Sequence, residues 1–233
     1  MALPKNSLKS DFPIFNDSDL VYLDNASTTQ KPKQVLDAVM AMYTDSNANV
    51  HRALYDIGSK ATEKFENSRK NISDFINATS EKEIIFTSGT TESINLLAHT
   101  LDNSLGPGDD ILVSEMEHHA NLVPWQMASE RTGASLKFIP INSRGELDLS
   151  DPEKYFTRST KIIALTHVSN VLGTINPIND IAGIAKEIGA LFIVDGAQGI
   201  PHQSIDVQDL GCDFYAFSGH KMLGPTGIGS LWG

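Results

Sequence analysis

The amino-acid sequence predicts an α/β fold whose mainly parallel sheet is sandwiched between layers of helices. From residue 84 onward, short runs rich in Ile, Val, Leu and Phe alternate with segments of helical periodicity. Strands that are apolar along their whole length are typical of parallel sheets buried on both faces. A chain of 233 residues, 40% of them hydrophobic, is long enough to bury the core that this architecture needs.

The predicted elements follow one another in a regular order. Two amphipathic helices come first, at 33–43 and 59–76, the second with charges on its outer face. Strands are predicted at 84–87, 110–115, 136–141, 161–167, 191–195 and 213–217, and later helices at 91–100, 122–132 and 178–189. We therefore divide the chain into an N-terminal helical segment, residues 1–80, and a sheet-containing large domain, residues 81–233.

The C-terminal residues 227–233 read as a final strand that stops in mid-course. Apolar surface around Leu231 and Trp232 is therefore predicted to be uncovered. We expect the chain to be the front part of a longer protein.

Composition excludes several classes of function. The formal net charge of −11 argues against nucleic-acid or anionic-membrane surfaces, because both need clustered Lys and Arg. No apolar run approaches membrane-spanning length, and residues 1–15 are too polar for a secretory signal. The single cysteine, Cys212, is interpreted as a buried small hydrophobe at the head of a strand. A cytoplasmic protein is predicted.

Polar residues are concentrated where predicted strands end, which is where open α/β sheets bind ligands. Asp195 ends the strand 191–195, and Lys221 lies in a glycine-rich turn after the strand 213–217. A lysine held at a fixed, partly desolvated point suits covalent chemistry with an aldehyde, and a buried carboxylate needs a cation or strong donors. Taken singly, Lys221 could instead be solvated or bind phosphate, and Asp195 could cap backbone N–H groups.

Two further strand ends carry polar residues. Gly89, Thr90 and Thr91 open a predicted helix and suit a phosphate, although they would equally form an ordinary N-cap. His118 and His119 follow another strand, but adjacent histidines do not share a helical face and no third ligand accompanies them. We therefore predict no metal site, and interpret a histidine here as a flat ring laid on an aromatic ligand.

Together these strand ends supply the groups that pyridoxal 5′-phosphate (PLP) requires. The cofactor needs a lysine for its aldehyde, an acid for its ring nitrogen, a planar group over the ring and an anion site for its phosphate. Four separate strand ends each supply one of these groups. The sequence therefore predicts PLP as a cofactor.

Longer stretches carry a resemblance to a known family. They are YLDNA at 22–26, NVHR at 49–52, ATEK at 61–64, GTTE at 89–92, MEHHANLVPW at 116–125, THVSNVLGT at 166–174, DGAQ at 195–198 and FSGHK at 217–221. The sequence resembles the cysteine desulfurases of the class V aminotransferase group, and most of all the SufS/CsdA branch, which includes selenocysteine lyases. The similarity spans residues 12–233.

The resemblance implies the large domain of PLP-dependent fold type I, with the C-terminal small domain absent. It also implies that the full-length protein releases sulfur from L-cysteine, as an enzyme persulfide plus L-alanine, for iron–sulfur cluster assembly. A homodimer and a sulfur-acceptor protein are expected with it. The alternatives are a selenocysteine lyase, acting on L-selenocysteine, and a catalytically silent PLP-binding fragment.

The resemblance also implies roles for individual residues. Lys221 would attach the cofactor and move a proton, Asp195 would pair with the ring nitrogen, and His118 would stack on the ring. The other implied contacts are Gln198 to the phenolic oxygen, Thr90, Thr91, Ser218 and His220 to the phosphate, Asn170 to the substrate carboxylate, and His51 and Arg52 near the entrance. Residues 1–80 would contribute to that entrance.

One departure from the family concerns sulfur transfer. The family's sulfur-accepting cysteine and its carboxylate-binding arginine belong to a C-terminal portion that is absent from these 233 residues. Cys212 precedes the lysine in a strand and does not match that cysteine. We therefore expect the chain as given to be inactive as a desulfurase.

Overall fold

A computed structural model describes residues 8–52 and 54–233 of the chain. The strands are β1 Ile84–Thr87, β2 Asp110–Ser114, β3 Ser135–Ile139, β4 Thr160–Thr166, β5 Leu191–Asp195, β6 Phe214–Ser218 and β7 Gly229–Trp232. The helices are α1 Lys33–Asp45, α2 Asp56–Phe75, α3 Thr90–Thr100, α4 His119–Thr132, α5 Ile178–Ile188 and α6 Val207–Leu210. The predicted α/β fold is confirmed.

All of these strands belong to one sheet, in the order β1-β7-β6-β5-β4-β2-β3. The pairs β2–β3, β2–β4, β4–β5 and β5–β6 are parallel, whereas β7 runs antiparallel to both of its neighbours. The carboxyl ends of β1, β2, β4, β5 and β6 consequently lie at one edge of the sheet. This edge is where the sequence places its polar residues.

Apolar residues pack on both faces of the sheet, which explains why the strands are apolar throughout. On one face, Phe192 and Val194 of β5 pack with Ile181 and Ala185 of α5. On the other face, Ile193 packs in a cluster that includes residues of α3 and α4, such as Ile94, Leu97, Trp125 and Ala128. The side chains of one strand alternate between the two clusters because successive residues of a strand point to opposite faces.

The C-terminal strand corrects one expectation. Leu231 is only 1% exposed, and Trp232 packs against the core and donates its indole N–H to Glu83 Oε2 at 2.9 Å. The prediction of uncovered apolar surface around these two residues was wrong, because β7 lies between β1 and β6 rather than at an edge of the sheet.

Cys212 lies in the core, as predicted. It is buried beside the head of β6, and this burial raises the pKa of its thiol to about 12. A thiol with such a pKa is almost entirely protonated near neutral pH and is a poor nucleophile. Among the described helices, none is long and apolar enough to cross a membrane.

Helix α4 begins earlier than the sequence predicts, at His119 rather than at residue 122. The polar residues before position 122 hide the start of the helix, because His118 acts as its N-cap. The division of the chain at residues 80 and 81 remains a prediction.

Candidate active site

A cavity of about 430 Å³ opens at the carboxyl edge of the sheet. Its lining includes all but two of the residues that the sequence selects, namely Thr90, Thr91, His118, Asn170, Asp195, Gln198, Ser218, His220 and Lys221. The other lining residues are Asp24, Ala26, Ser27, Ala120, Thr166, Val168 and Ala197. Strand ends that are far apart in the sequence thus converge on one cavity of ligand-binding size.

Asp195 and Lys221 carry opposite charges within this cavity. Burial at the end of β5 raises the pKa of Asp195, while a hydrogen bond from Ala197 N to Oδ1 at 2.9 Å and the charge of Lys221 oppose that rise. Burial lowers the pKa of Lys221, and Asp195 opposes that change. The site therefore combines a carboxyl group whose ionisation is opposed by burial with an amine that loses its proton more readily than a surface lysine.

His118 presents a neutral ring to the cavity. As N-cap of α4, its Nδ1 accepts a hydrogen bond from Ala120 N at 3.0 Å, so in the neutral ring the proton is on Nε2. Burial lowers the pKa of His118, with a smaller contribution from the charge of Lys221. A neutral, flat imidazole at this position suits stacking on an aromatic ring.

The start of α3 is joined to the end of β6. Ser218 Oγ accepts a hydrogen bond from Thr90 N at 2.8 Å and lies 2.8 Å from Thr90 Oγ1. Gly89 precedes this turn with φ +152° and ψ 179°, a conformation that is essentially restricted to glycine. A Cβ atom at Gly89 would lie 3.2 Å from Ser218 Oγ. Hydroxyl groups and helix N–H groups are thereby gathered at one end of the cavity.

Replacing Gly89 with alanine is expected to weaken the binding of phosphate-bearing ligands and to lower stability by roughly 1–3 kcal/mol, because the backbone conformation becomes strained. Thermal unfolding and the Kd for PLP measure the two effects. Gly106→Ala is the matched control, since a Cβ atom there meets nothing within 4 Å. Equal behaviour of the two variants would contradict a special requirement for glycine at position 89.

An N-terminal segment, residues 22–31, lies against the turn that carries Lys221, and we name it the strap. The carbonyl oxygen of His220 accepts hydrogen bonds from Thr29 N at 2.9 Å, Thr29 Oγ1 at 3.0 Å and Thr28 Oγ1 at 3.2 Å. Lys31 Nζ donates to the same oxygen at 3.2 Å. These bonds fix the peptide immediately before Lys221.

The strap also contacts Gln198, another residue that lines the cavity. Gln198 Nε2 donates to the carbonyl oxygen of Ala26 at 2.6 Å, and Tyr22 Oη donates to that of Thr28 at 2.7 Å. Sequence reasoning missed the contribution of Thr28, Thr29 and Lys31, because a pair of threonines before a helix has no distinctive pattern. Polar residues in a segment just before the first helix were the only available signal.

His51 and Arg52 do not line the cavity. His51 has a φ of +70°, its Nε2 lies 3.2 Å from Glu66 Oε1 on α2, and its ring packs edge-on against Phe65. Arg52 is exposed. Their placement near a substrate entrance remains a prediction.

The groups that line the cavity fit PLP. Gly89 leaves room beside the hydroxyl groups at the start of α3, and a carboxylate, an imidazole and an amine with a lowered pKa line the same cavity. Within residues 8–52 and 54–233, no three His, Cys, Asp or Glu side chains form a group that could hold a metal ion.

Comparison with known proteins shows the family. Residues 21–233 match the family model for class-V aminotransferases, so the chain belongs to this family. It is 51% identical over 233 residues to a probable cysteine desulfurase of Halalkalibacterium halodurans and 50% identical over 237 residues to a cysteine desulfurase of Salmonella typhimurium. These alignments cover 98% and 100% of this chain but only 57% and 58% of the two relatives.

Solved structures agree with this assignment. The apo structure of a cysteine desulfurase from Thermococcus onnurineus has a TM-score of 0.93 and 43% identity, and the similarity covers 100% of this chain and 57% of that one. The cysteine desulfurase CsdA of Escherichia coli has a TM-score of 0.86 and 43% identity, with 97% and 56% covered. The fold is that of the PLP-dependent fold type I large domain, and the chain spans a little over half the length of these relatives.

Proposed function

We propose that this chain is the PLP-binding part of a cysteine desulfurase that takes sulfur from L-cysteine and leaves L-alanine. The observation that carries the proposal is the meeting of Lys221, Asp195 and His118 in one cavity. The names of relatives that are about half identical to this chain give the proposal its substrate. The mainly parallel sheet alone would not specify a reaction.

Each residue around the cavity has a role in this proposal. PLP supplies an electron sink for negative charge that develops on the substrate. With the cofactor bound, Lys221 would hold its aldehyde through Nζ and would move a proton at that atom, since burial makes this amine easier to deprotonate. Asp195 would pair with the ring nitrogen, and His118 would stack on the ring.

The remaining lining residues bind and orient. Thr90, Thr91, Ser218 and His220 hold the phosphate, at the edge where α3 begins. Gln198 has a second amide hydrogen beyond the one donated to Ala26, and this hydrogen would bind the phenolic oxygen. Asn170 binds the substrate carboxylate, while His51 and Arg52 lie toward the entrance.

Sulfur transfer needs a thiolate from outside these residues. In the proposed reaction a cysteine thiolate attacks the substrate sulfur, the new S–S bond replaces the C–S bond, and the carbon fragment leaves as alanine after protonation. Cys212 is unsuited to this step, because it is buried and the pKa of its thiol is about 12. In this proposal the nucleophile belongs to a further part of the protein, and the chain alone binds PLP without turnover.

The finer assignment follows the sequence resemblance. We place the protein in the SufS/CsdA branch, as a cytoplasmic homodimer that passes sulfur to an acceptor protein for iron–sulfur cluster assembly. A selenocysteine lyase is the alternative for the full-length protein. The chain by itself is proposed to be a catalytically silent PLP-binding fragment, which the burial of Cys212 supports.

The proposal is tested by measuring alanine, sulfide and selenide released from L-cysteine and L-selenocysteine in the presence of a reductant. The samples are this chain, its Cys212→Ser variant and the full-length protein. We expect alanine and sulfide from the full-length protein and no sustained release from the chain or its variant. Activity of the chain that disappears with Cys212→Ser would overturn the structural interpretation of Cys212, and release from selenocysteine alone would favour the lyase.

A further inference from the structure

Glu117 is a partly buried acid beside the candidate active site to which the proposed reaction assigns no role. It precedes His118 in the loop between β2 and α4. Ser114 Oγ donates to Glu117 Oε1 at 2.5 Å, and Thr166 N donates to the same oxygen at 3.1 Å. Asn121 Nδ2 donates to Oε2 at 2.7 Å. One carboxyl group thus joins the end of β2, the first turns of α4 and the end of β4.

The direction of these hydrogen bonds is fixed by a tryptophan. The indole Nε1 of Trp125 can only donate, and it donates to Asn121 Oδ1 at 3.1 Å. Asn121 therefore turns its NH₂ group toward Glu117. Asn121 and Trp125 are both fully buried, so water cannot take over these bonds. Both oxygens of Glu117 must consequently accept from groups that can only donate, the Asn121 amide and the Thr166 backbone N–H.

The residues that Glu117 holds are directly connected to the cavity. Thr166 lines the cavity and is the register partner of Asp195 in the β4–β5 pair. The next backbone N–H, that of His167, donates to the carbonyl oxygen of Asp195 at 2.9 Å. On the other side, Glu117 adjoins the N-cap residue His118. A displacement of Glu117 would therefore move His118 and Thr166 relative to Asp195.

We propose that Glu117 is a positioning residue, whose two carboxyl oxygens set the place of His118 over the candidate PLP site through a fixed pattern of donors and acceptors. This inference rests on the proposed PLP site. Burial outweighs the three donors and raises the pKa of Glu117 to about 8, with the charge of Asp195 contributing to the rise. This cost in solvation makes the position of Glu117 depend on its hydrogen bonds being made.

The pattern of donors and acceptors gives a sharp test. In Glu117→Gln the new amide keeps one acceptor oxygen but places an NH₂ group opposite a donor, either at Asn121 or at Thr166. In Asn121→Asp two acid groups face each other. The double variant restores a match, because the new amide at 117 donates to the new carboxylate at 121, which still accepts from Trp125 Nε1. The oxygen retained at 117 accepts from Thr166 N.

The readouts are the ring resonances of His118 in isotope-labelled protein, the melting temperature, and the Kd and absorption spectrum of PLP. We expect each single variant to shift the His118 resonances and to weaken PLP binding about tenfold, which corresponds to losing about one hydrogen bond. The double variant is expected to recover the wild-type resonances and most of the affinity. Glu115→Gln is the matched control, because it makes the same change at an exposed glutamate two residues away. It should leave the His118 resonances and the affinity for PLP unchanged.

Two outcomes would overturn the inference. One is a Glu117→Gln variant that has wild-type His118 resonances, or that loses melting temperature while His118 and PLP binding stay unchanged. The other is a defect that the double variant fails to repair, which would mean that a carboxylate is needed at position 117 itself. If wild-type protein does not bind PLP, the proposed function fails, while the His118 resonances still decide the positioning role.

Discussion

Lys221→Ala is expected to abolish covalent attachment of PLP to the protein. The wild-type chain, incubated with PLP and treated with borohydride, should carry one label on Lys221, located by peptide mass spectrometry. The label should be absent from the variant, because the cavity places this amine next to Asp195 and burial lowers its pKa. PLP should still bind to the variant noncovalently, through the groups at the start of α3.

Lys186→Ala is the control, because Lys186 is exposed on α5 and does not line the cavity. A label on another lysine, or an undiminished label in Lys221→Ala, would refute the assignment.

Loss of the fold is not expected in Lys221→Ala. The pKa of Lys221 is lower in the folded protein than the 10.5 of an unfolded chain. Between these two pKa values the unfolded chain binds more protons than the folded one, so Lys221 makes the free energy of unfolding rise with pH in that window. The variant should lose this dependence.

Asp195→Ala is expected to reduce turnover of the full-length protein by about 10²–10³-fold, as removal of a preorganised charge at a developing charge does in other enzymes. PLP binding should largely remain, because the phosphate contacts are at another end of the cavity. Steady-state alanine release measures turnover, and absorption titration measures binding.

Asp195→Asn separates the two roles that the sequence leaves open for this residue. It keeps an oxygen that can accept from Ala197 N but removes the charge. If Asp195 serves the ring nitrogen, the asparagine variant should be nearly as impaired as the alanine variant. If Asp195 only accepts the hydrogen bond from Ala197 N and does not serve the ring nitrogen, the asparagine variant should have wild-type turnover.

The elements of this fold could be predicted where apolar pattern and burial coincide. Strands β1 and β5 have the predicted limits, because each is a short apolar run that ends on a polar residue, Thr87 or Asp195. The strand-end rule also selected Asp195 and Lys221 correctly as neighbours in one cavity. It succeeds because parallel strands bring residues far apart in sequence to one edge.

What could not be predicted depends on contacts that leave no local pattern. The four donors that converge on the His220 carbonyl come from residues of the strap, nearly two hundred positions earlier in the chain. The role of Glu117 is equally hidden, because Asn121 and Trp125 matter only once α4 has formed. The position of β7 inside the sheet depends on its pairing with β1, which no local sequence pattern predicts.

The location of β7 has a consequence for how the molecule folds. Strand β1 is hydrogen-bonded to β7, although all the other strands lie between the two in the sequence. Forming this pair therefore carries a large loss of chain entropy. Gly229 of β7 also packs closely against Gly89. A Cβ atom added to Gly229 would lie 2.5 Å from the Gly89 Cα. We therefore expect the turn before α3 to be completed late, after the parallel strands have assembled. During synthesis on the ribosome, this turn would gain its contact with β7 only once residues 229–232 have emerged.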